Sequence, residues 1–232
     1  MLLVAVVGAS PGIGKSRLCA SLVDWLNDAG LAVDHFAEEH ILDRPAFAAV
    51  ATEFANTGRV SPTVLVDATA RYLADTAAAG IAVVVMDSLI PFVPSLLAFG
   101  HTEHDIASIV DDLATRIAAI PTVTIFLDGD AATALPRAAA REGNDWLAWY
   151  TDKLARYGLL ADPGPDLTAV CQYLSHERAT TLQILRRQPW HLVVIDHADT
   201  SPPDQVLHAA RLAIAAFITN PAPTRSTPST PN

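Results

Sequence analysis

A lysine and a serine, Lys15 and Ser16, follow the turn Ala9-Ser10-Pro11-Gly12-Ile13-Gly14. Ahead of that turn lies an aliphatic run at 2–7, and behind it Leu18, Leu22, Val23 and Leu26 recur at helical spacing. A strand, a glycine turn and a helix in that order offer an anion several backbone N–H groups and the positive end of a helix dipole. The Lys15 ammonium adds a full charge, and the Ser16 hydroxyl is a ligand for a hard cation such as Mg²⁺. The chemistry this suits is polyphosphate binding. Its candidate residues are Ser10, Gly12, Ile13, Gly14, Lys15, Ser16 and Arg17.

Phosphoryl transfer to a hydroxyl also needs a carboxylate that positions and deprotonates the acceptor. Asp87 closes the apolar run 81–86, and Glu38-Glu39 follow the shorter run 31–36. Asp87 is expected to serve as the base or, with Ser16, as a magnesium ligand; Glu38 or Glu39 is the other candidate base. Arg137 and Arg141 stand four residues apart, on one face of a helix. On a chain with few cations they are placed to offset the charge of a moving phosphoryl group.

Residues 9–16 fit the P-loop pattern with one departure, since Ala9 stands where the first glycine is usual and Gly8 comes one position early. The chain holds no Asn-Lys-x-Asp element for guanine, and Asp87 is followed by Ser88 and not by a second acid. These features favour a small-molecule kinase over a switch GTPase or a motor ATPase. Other polar groups carry weaker signals. His101 and His104 read as a solvated helix start with no third metal ligand. His176-Glu177-Arg178 leaves two readings open: a surface pair, or an arginine that reaches the cleft. Cys19 reads as a small core residue.

Positioning these groups requires alternating strands and helices. Strands are expected at 2–7, 31–36, 81–86, 122–127 and 191–195. Helices are expected at 15–29, 44–55, 63–79, 104–119, 131–141, 145–157, 170–187 and 203–218, with Ser61-Pro62 as a helix cap and first turn. That order predicts an α/β fold, a parallel β-sheet with helices on both faces. Ligands in such sheets bind at the carboxyl ends of the strands, where Lys15, Glu38, Asp87 and Asp196 all fall. Residues 162–166 read as a loop. Residues 1–218 read as a single domain, and 219–232, rich in Pro, Ser and Thr, as a disordered tail.

The layout from Phe126-Leu127-Asp128 through Arg137-Ala138-Ala139-Ala140-Arg141 to Trp146, Trp149-Tyr150, Leu154 and Tyr157 resembles the lid of the thymidylate kinase and deoxynucleoside kinase families. The resemblance implies a P-loop nucleoside- or nucleotide-kinase-like fold, a helical lid at about 130–158, and ATP with Mg²⁺. It gives Arg137 and Arg141 the task of clamping phosphate or stacking on adenine, sets the loop after the last strand beside the adenine, and implies dimerisation. Two departures limit it. Those families place Asp-Arg where Asp87-Ser88 stands, and no acid-proline-glycine segment follows the second strand, so nucleoside-phosphate recognition is not carried over. The expected activity is transfer of the γ-phosphate of ATP to a nucleoside, a nucleotide or another small hydroxyl compound. The alternative is a nucleotide-dependent ATPase or switch that docks a protein partner on the apolar stretch 89–100, which otherwise reads as a pocket wall, a dimer face or a buried loop.

Composition bounds these readings. The 232 residues are 51% hydrophobic and 17% charged, with a formal net charge of −10. Such a chain is too apolar for disorder and lacks the basic excess of a nucleic-acid polymer binder. Two cysteines cannot form a disulfide framework. Mean hydropathy is +0.29, yet no run approaches the roughly 18 apolar residues of a membrane span. No membrane partner is expected, and a cytoplasmic location is expected from the lack of a targeting signal.

Overall fold

Five apolar runs form one sheet with all strands parallel: β1 (Leu2–Gly8), β2 (Val33–Phe36), β3 (Val83–Asp87), β4 (Thr122–Leu127) and β5 (His191–Ile195). The computed structural model describes residues 1–41, 43–87, 93, 96–97, 99–143, 145–160 and 167–218. Most of the stretch 89–100, all of 162–166 and the tail 219–232 therefore lie outside the described residues, Ser88 among them.

The strand order is β2-β3-β1-β4-β5. The chain leaves β1 toward one edge of the sheet for β2, and leaves β4 toward the other edge for β5. Connections diverge between β1 and β4, and an open α/β sheet has its crevice at such a point, at the carboxyl ends. The loop that follows β1 sits there.

Helices flank both faces, because residues along a strand alternate sides. Leu3, Ala5, Val84 and Met86 face one way. They pack on Val50 of α2 (Ala48–Thr57), Leu65 and Leu73 of α3 (Pro62–Ala78), and Ile106 and Leu113 of α4 (Glu103–Arg116). Val4, Val6, Val83 and Val85 face the other way, onto Leu18, Leu22 and Leu26 of α1 (Lys15–Asp28) and Val206, Ala210 and Ile214 of α8 (Pro203–Ile218). Each buried Leu or Val adds about 1.5–3 kcal/mol over exposure, so both layers hold the sheet. A third cluster joins Leu135 of α5 (Ala131–Glu142), Leu154 of α6 (Trp146–Arg156) and Val170, Tyr173 and Leu174 of α7 (Leu167–Leu185). Among the described residues no helix is long and apolar enough to cross a membrane.

Two local expectations change. The helix expected at 44–55 is a 3₁₀ turn, Pro45–Phe47, followed by α2. Phe47 is fully buried against Phe36, with ring centroids 5.0 Å apart, and the tight turn aims its ring inward. Ser61 does occupy the N-cap of α3, with Pro62 next, but its side chain makes no capping bond. Its hydroxyl and backbone N–H both donate to Glu53 instead.

Candidate functional site

The loop after β1 owes its shape to three glycines. Gly8 ends the strand opposite Leu127, and the Ala9 N–H extends the ladder to the Leu127 carbonyl at 3.0 Å. A Cβ on Gly8 would lie 2.9 Å from Cγ of Lys15, so the lysine stem folds back over the strand end. Gly12 has φ +80°, and a Cβ there would overlap the Ala134 carbonyl of α5. Both the left-handed backbone and the flush contact demand glycine. Gly14, at φ +109°, starts α1 facing open space. Position 9 lacks a positive φ, which is why alanine serves where the pattern usually has glycine. No side chain among the described residues caps α1 and no acid stands in its first turn. Its terminal amides are therefore available to an external anion.

Asp87 is the second half of the site. Register places it beside Val6 of β1, and the Ser16 hydroxyl donates to its Oδ2. The residue is 5% exposed, and its Oδ1 is buried with no hydrogen-bond partner among the described residues. A buried acceptor without a donor is costly, and a bound cation would relieve it. One hydroxyl and one carboxylate are the sparse protein set that magnesium accepts when phosphates and waters fill its other positions. Lys15 and Asp87 both act on the Cys19 thiol, which burial chiefly pushes far up; Cys19 is a buried, inert core residue.

The chain matches no protein-family model and no curated protein.

The remaining predicted residues divide into two groups around this centre. Glu38 and Glu39 lie on a 3₁₀ turn, Glu38–Ile41, just past Phe36, which pairs with Met86. They are at the Asp87 end of the sheet, but both are exposed. Arg137 and Arg141 of α5 are also exposed. They line a cavity of about 360 Å³ together with Gly12, Gly14, Arg17 and Ser201. Among the described residues Arg141 pairs only with its neighbour Glu142, at 2.7 Å. His101 and His104 flank the Thr102–Asp105 capping box that starts α4, and no cluster among the described residues could hold a metal through three or more His, Cys, Asp or Glu side chains.

Three residues of the site go beyond the sequence reading. Asp128, just past β4, is 7% exposed and accepts the Gly129 N–H at 2.9 Å. Arg178 of α7 grips it through Nε and Nη2, and that pairing, more than any other cause, holds the Asp128 carboxyl below its ordinary range. Arg178 thus serves as an anchor for Asp128, a partner that neither reading of that segment names. Glu177 is buried, and loss of solvent pushes its carboxyl up to about 7. The signal for Glu177 in the sequence is slight: Tyr173 stands one turn before it. His35 of β2 is the third, with a buried Nε2 that lacks a partner among the described residues. Burial, then nearby His40, lowers its pKa.

Proposed function

We propose that this chain is an ATP-dependent phosphotransferase of the P-loop kind, acting on a hydroxyl or phosphate of a small molecule such as a nucleoside, a nucleotide or a specialised metabolite. The observation that carries the reading is the buried Oδ1 of Asp87, without a partner among the described residues and held behind Ser16 at the open start of α1. The amides of residues 12–16 and the Lys15 ammonium bind the β- and γ-phosphates. Ser16 and Asp87 hold Mg²⁺, which would neutralise charge developing between those phosphates. The 360 Å³ cavity beside Gly12 takes the nucleoside end of ATP, with Arg137 and Arg141 at its rim.

The acceptor enters from the β2–β3 side, where Asp87, Glu38 and Glu39 supply carboxylates. Its oxygen bonds to the γ-phosphorus as the bond from that phosphorus to the β–γ bridging oxygen breaks. The hydroxyl proton passes to one of these carboxylates and ADP leaves. A lid formed by α5 and α6 excludes water from the transfer. Support for such a lid comes from the contact of Gly12 with α5, since the phosphate loop and the lid helix touch directly.

The test is phosphate transfer from labelled ATP with Mg²⁺ across nucleosides, nucleotides and hydroxylated metabolites. The expected result is a phosphorylated product with wild type and its loss with Lys15→Ala. Unchanged ATP affinity in Lys15→Ala, or partner-stimulated hydrolysis with no small-molecule product, overturns the reading.

A further inference from the structure

Glu177 is a buried acid whose place is fixed by its neighbour. Arg178 grips Asp128, and Asp128 directly follows Leu127, which lies opposite Gly8 in the sheet. That grip ties this turn of α7 to the carboxyl end of β4, beside β1, and further along α7 Leu182 and Leu185 pack with Ala9 of the phosphate loop. The Lys15 stem folds over the same Gly8. Among the described residues, the charged and titratable groups that act on Glu177 are Lys15 from α1, Tyr150 and Lys153 from α6, and Tyr173 one turn earlier on α7, whose phenol donates to the carboxylate. Three anion-forming groups and two half-buried cations thus act on one another beside the phosphate loop, the Lys153 ammonium from above the exposed Trp149 ring.

Resting on the reading of Lys15 as a phosphate ligand, we propose that Glu177 is the internal counter-ion that positions Lys15 in the free protein and that it takes up a proton when a nucleotide polyphosphate binds. In the free protein the Lys15 ammonium supports the ionised carboxylate against the cost of burial. A polyphosphate brings several negative charges to that ammonium and, at short range, to Glu177. The ionised form loses its support, so the carboxyl takes a proton from solvent as the anion arrives. Burial raises the free carboxyl to about 7, against the opposing pull of Tyr173, Lys15 and Lys153, so this exchange falls within the physiological range. The sign follows from linkage: the bound form has the higher pKa, so nucleotide affinity weakens as pH rises through the free value. Lys15 is thereby held ready without a permanent ion pair that phosphate would have to break.

The experiment is calorimetric titration of the full chain with ADP and Mg²⁺, at pH 7 and pH 8, in buffers of different ionisation enthalpy. Wild type is compared with Glu177→Gln, and the proton exchanged by ADP itself cancels between them. At pH 7 wild type is expected to take up about half a proton more per nucleotide than the variant, and its affinity to weaken about fivefold more between the two pH values. Tyr173→Phe keeps the carboxyl but removes a hydrogen bond that favours its ionised form, so its uptake at pH 7 falls between the two. That variant carries the test alone should Glu177→Gln fail to fold. Normal ADP binding with equal uptake in wild type and variants overturns the Glu177 inference and leaves the phosphate site intact. Failure of wild type to bind ADP overturns both.

Discussion

Two aspartates flank the end of β1, one at the end of β3 and one just past β4, and they are in opposite states. Asp128 is saturated. It accepts two bonds from Arg178 and one from the Gly129 N–H, and its own carbonyl accepts the Ala198 N–H at 2.8 Å. Asp87 has Ser16 alone, and its second oxygen is buried without a donor among the described residues. Asp128 ties β4, α7 and the loop after β5 into one block. Asp87 retains an acceptor that no donor among the described residues satisfies. Near-symmetric positions in a parallel sheet thus hold one carboxylate that the fold satisfies and one that, on the proposed function, awaits a ligand.

The same substitution at both positions tests that division. Asp87→Asn keeps the size and the bond from Ser16 but removes the charge. It is expected to cut phosphate transfer by about a thousandfold, roughly 4 kcal/mol of barrier. Its melting temperature should hold or rise, because a poorly satisfied buried charge is gone. A fall in melting temperature with transfer intact would make Asp87 a structural residue and end the contrast.

Asp128→Asn should behave in reverse. Losing the charge-assisted pair is expected to cost about 2 kcal/mol of stability, or a fall of about 4–8 °C in melting temperature for a chain of this size. Transfer per folded molecule should change much less. The pH dependence follows from the lowered Asp128 carboxyl. Its contribution is present above the ordinary carboxylate pKa and is lost as pH falls through the folded value. The stability gap between wild type and Asp128→Asn, measured by thermal melts from pH 7 to pH 2, should therefore close at the acid end. A gap that stays constant would show that the pair contributes packing and not charge.

The open half of the comparison was legible in the sequence, and the closed half was not. Runs rich in β-branched and other apolar residues read as strands, so β4 and the half-buried edge strand β5 fall where their runs predict. Asp87 stands out because it terminates such a run, and Ser16 because loop, lysine and helix start are contiguous. The Arg178–Asp128 pair joins residues 50 positions apart, and no local pattern announces such a partner. Glu177 was hidden for the same reason. A Glu between a His and an Arg on a helix reads as surface charge until α7 is tied to the end of β4. The contact of Gly12 with α5 belongs to this class as well. Its glycine was predicted for the conformation of the loop, while the helix it touches appears only in the folded chain.

Arg137 and Arg141 give the smallest expected effect and sharpen the comparison at its outer rim. Arg178 is fixed by a buried carboxylate, whereas these two arginines are exposed and, among the described residues, Arg141 meets only Glu142. Exposed charges are screened by water and salt, so Arg137→Ala is expected to weaken ADP binding by only about three- to tenfold. Pyrophosphate distinguishes the two tasks open to the side chain. An equal loss for ADP and pyrophosphate, shrinking with added salt and largely restored by Arg137→Lys, assigns it to the phosphates. A loss confined to ADP and not restored by lysine assigns it to the base, because only the planar guanidinium stacks on a ring. No loss for either ligand would remove Arg137 from the site and leave the cavity beside Gly12 to be lined by Arg141 and Arg17 as its remaining cations.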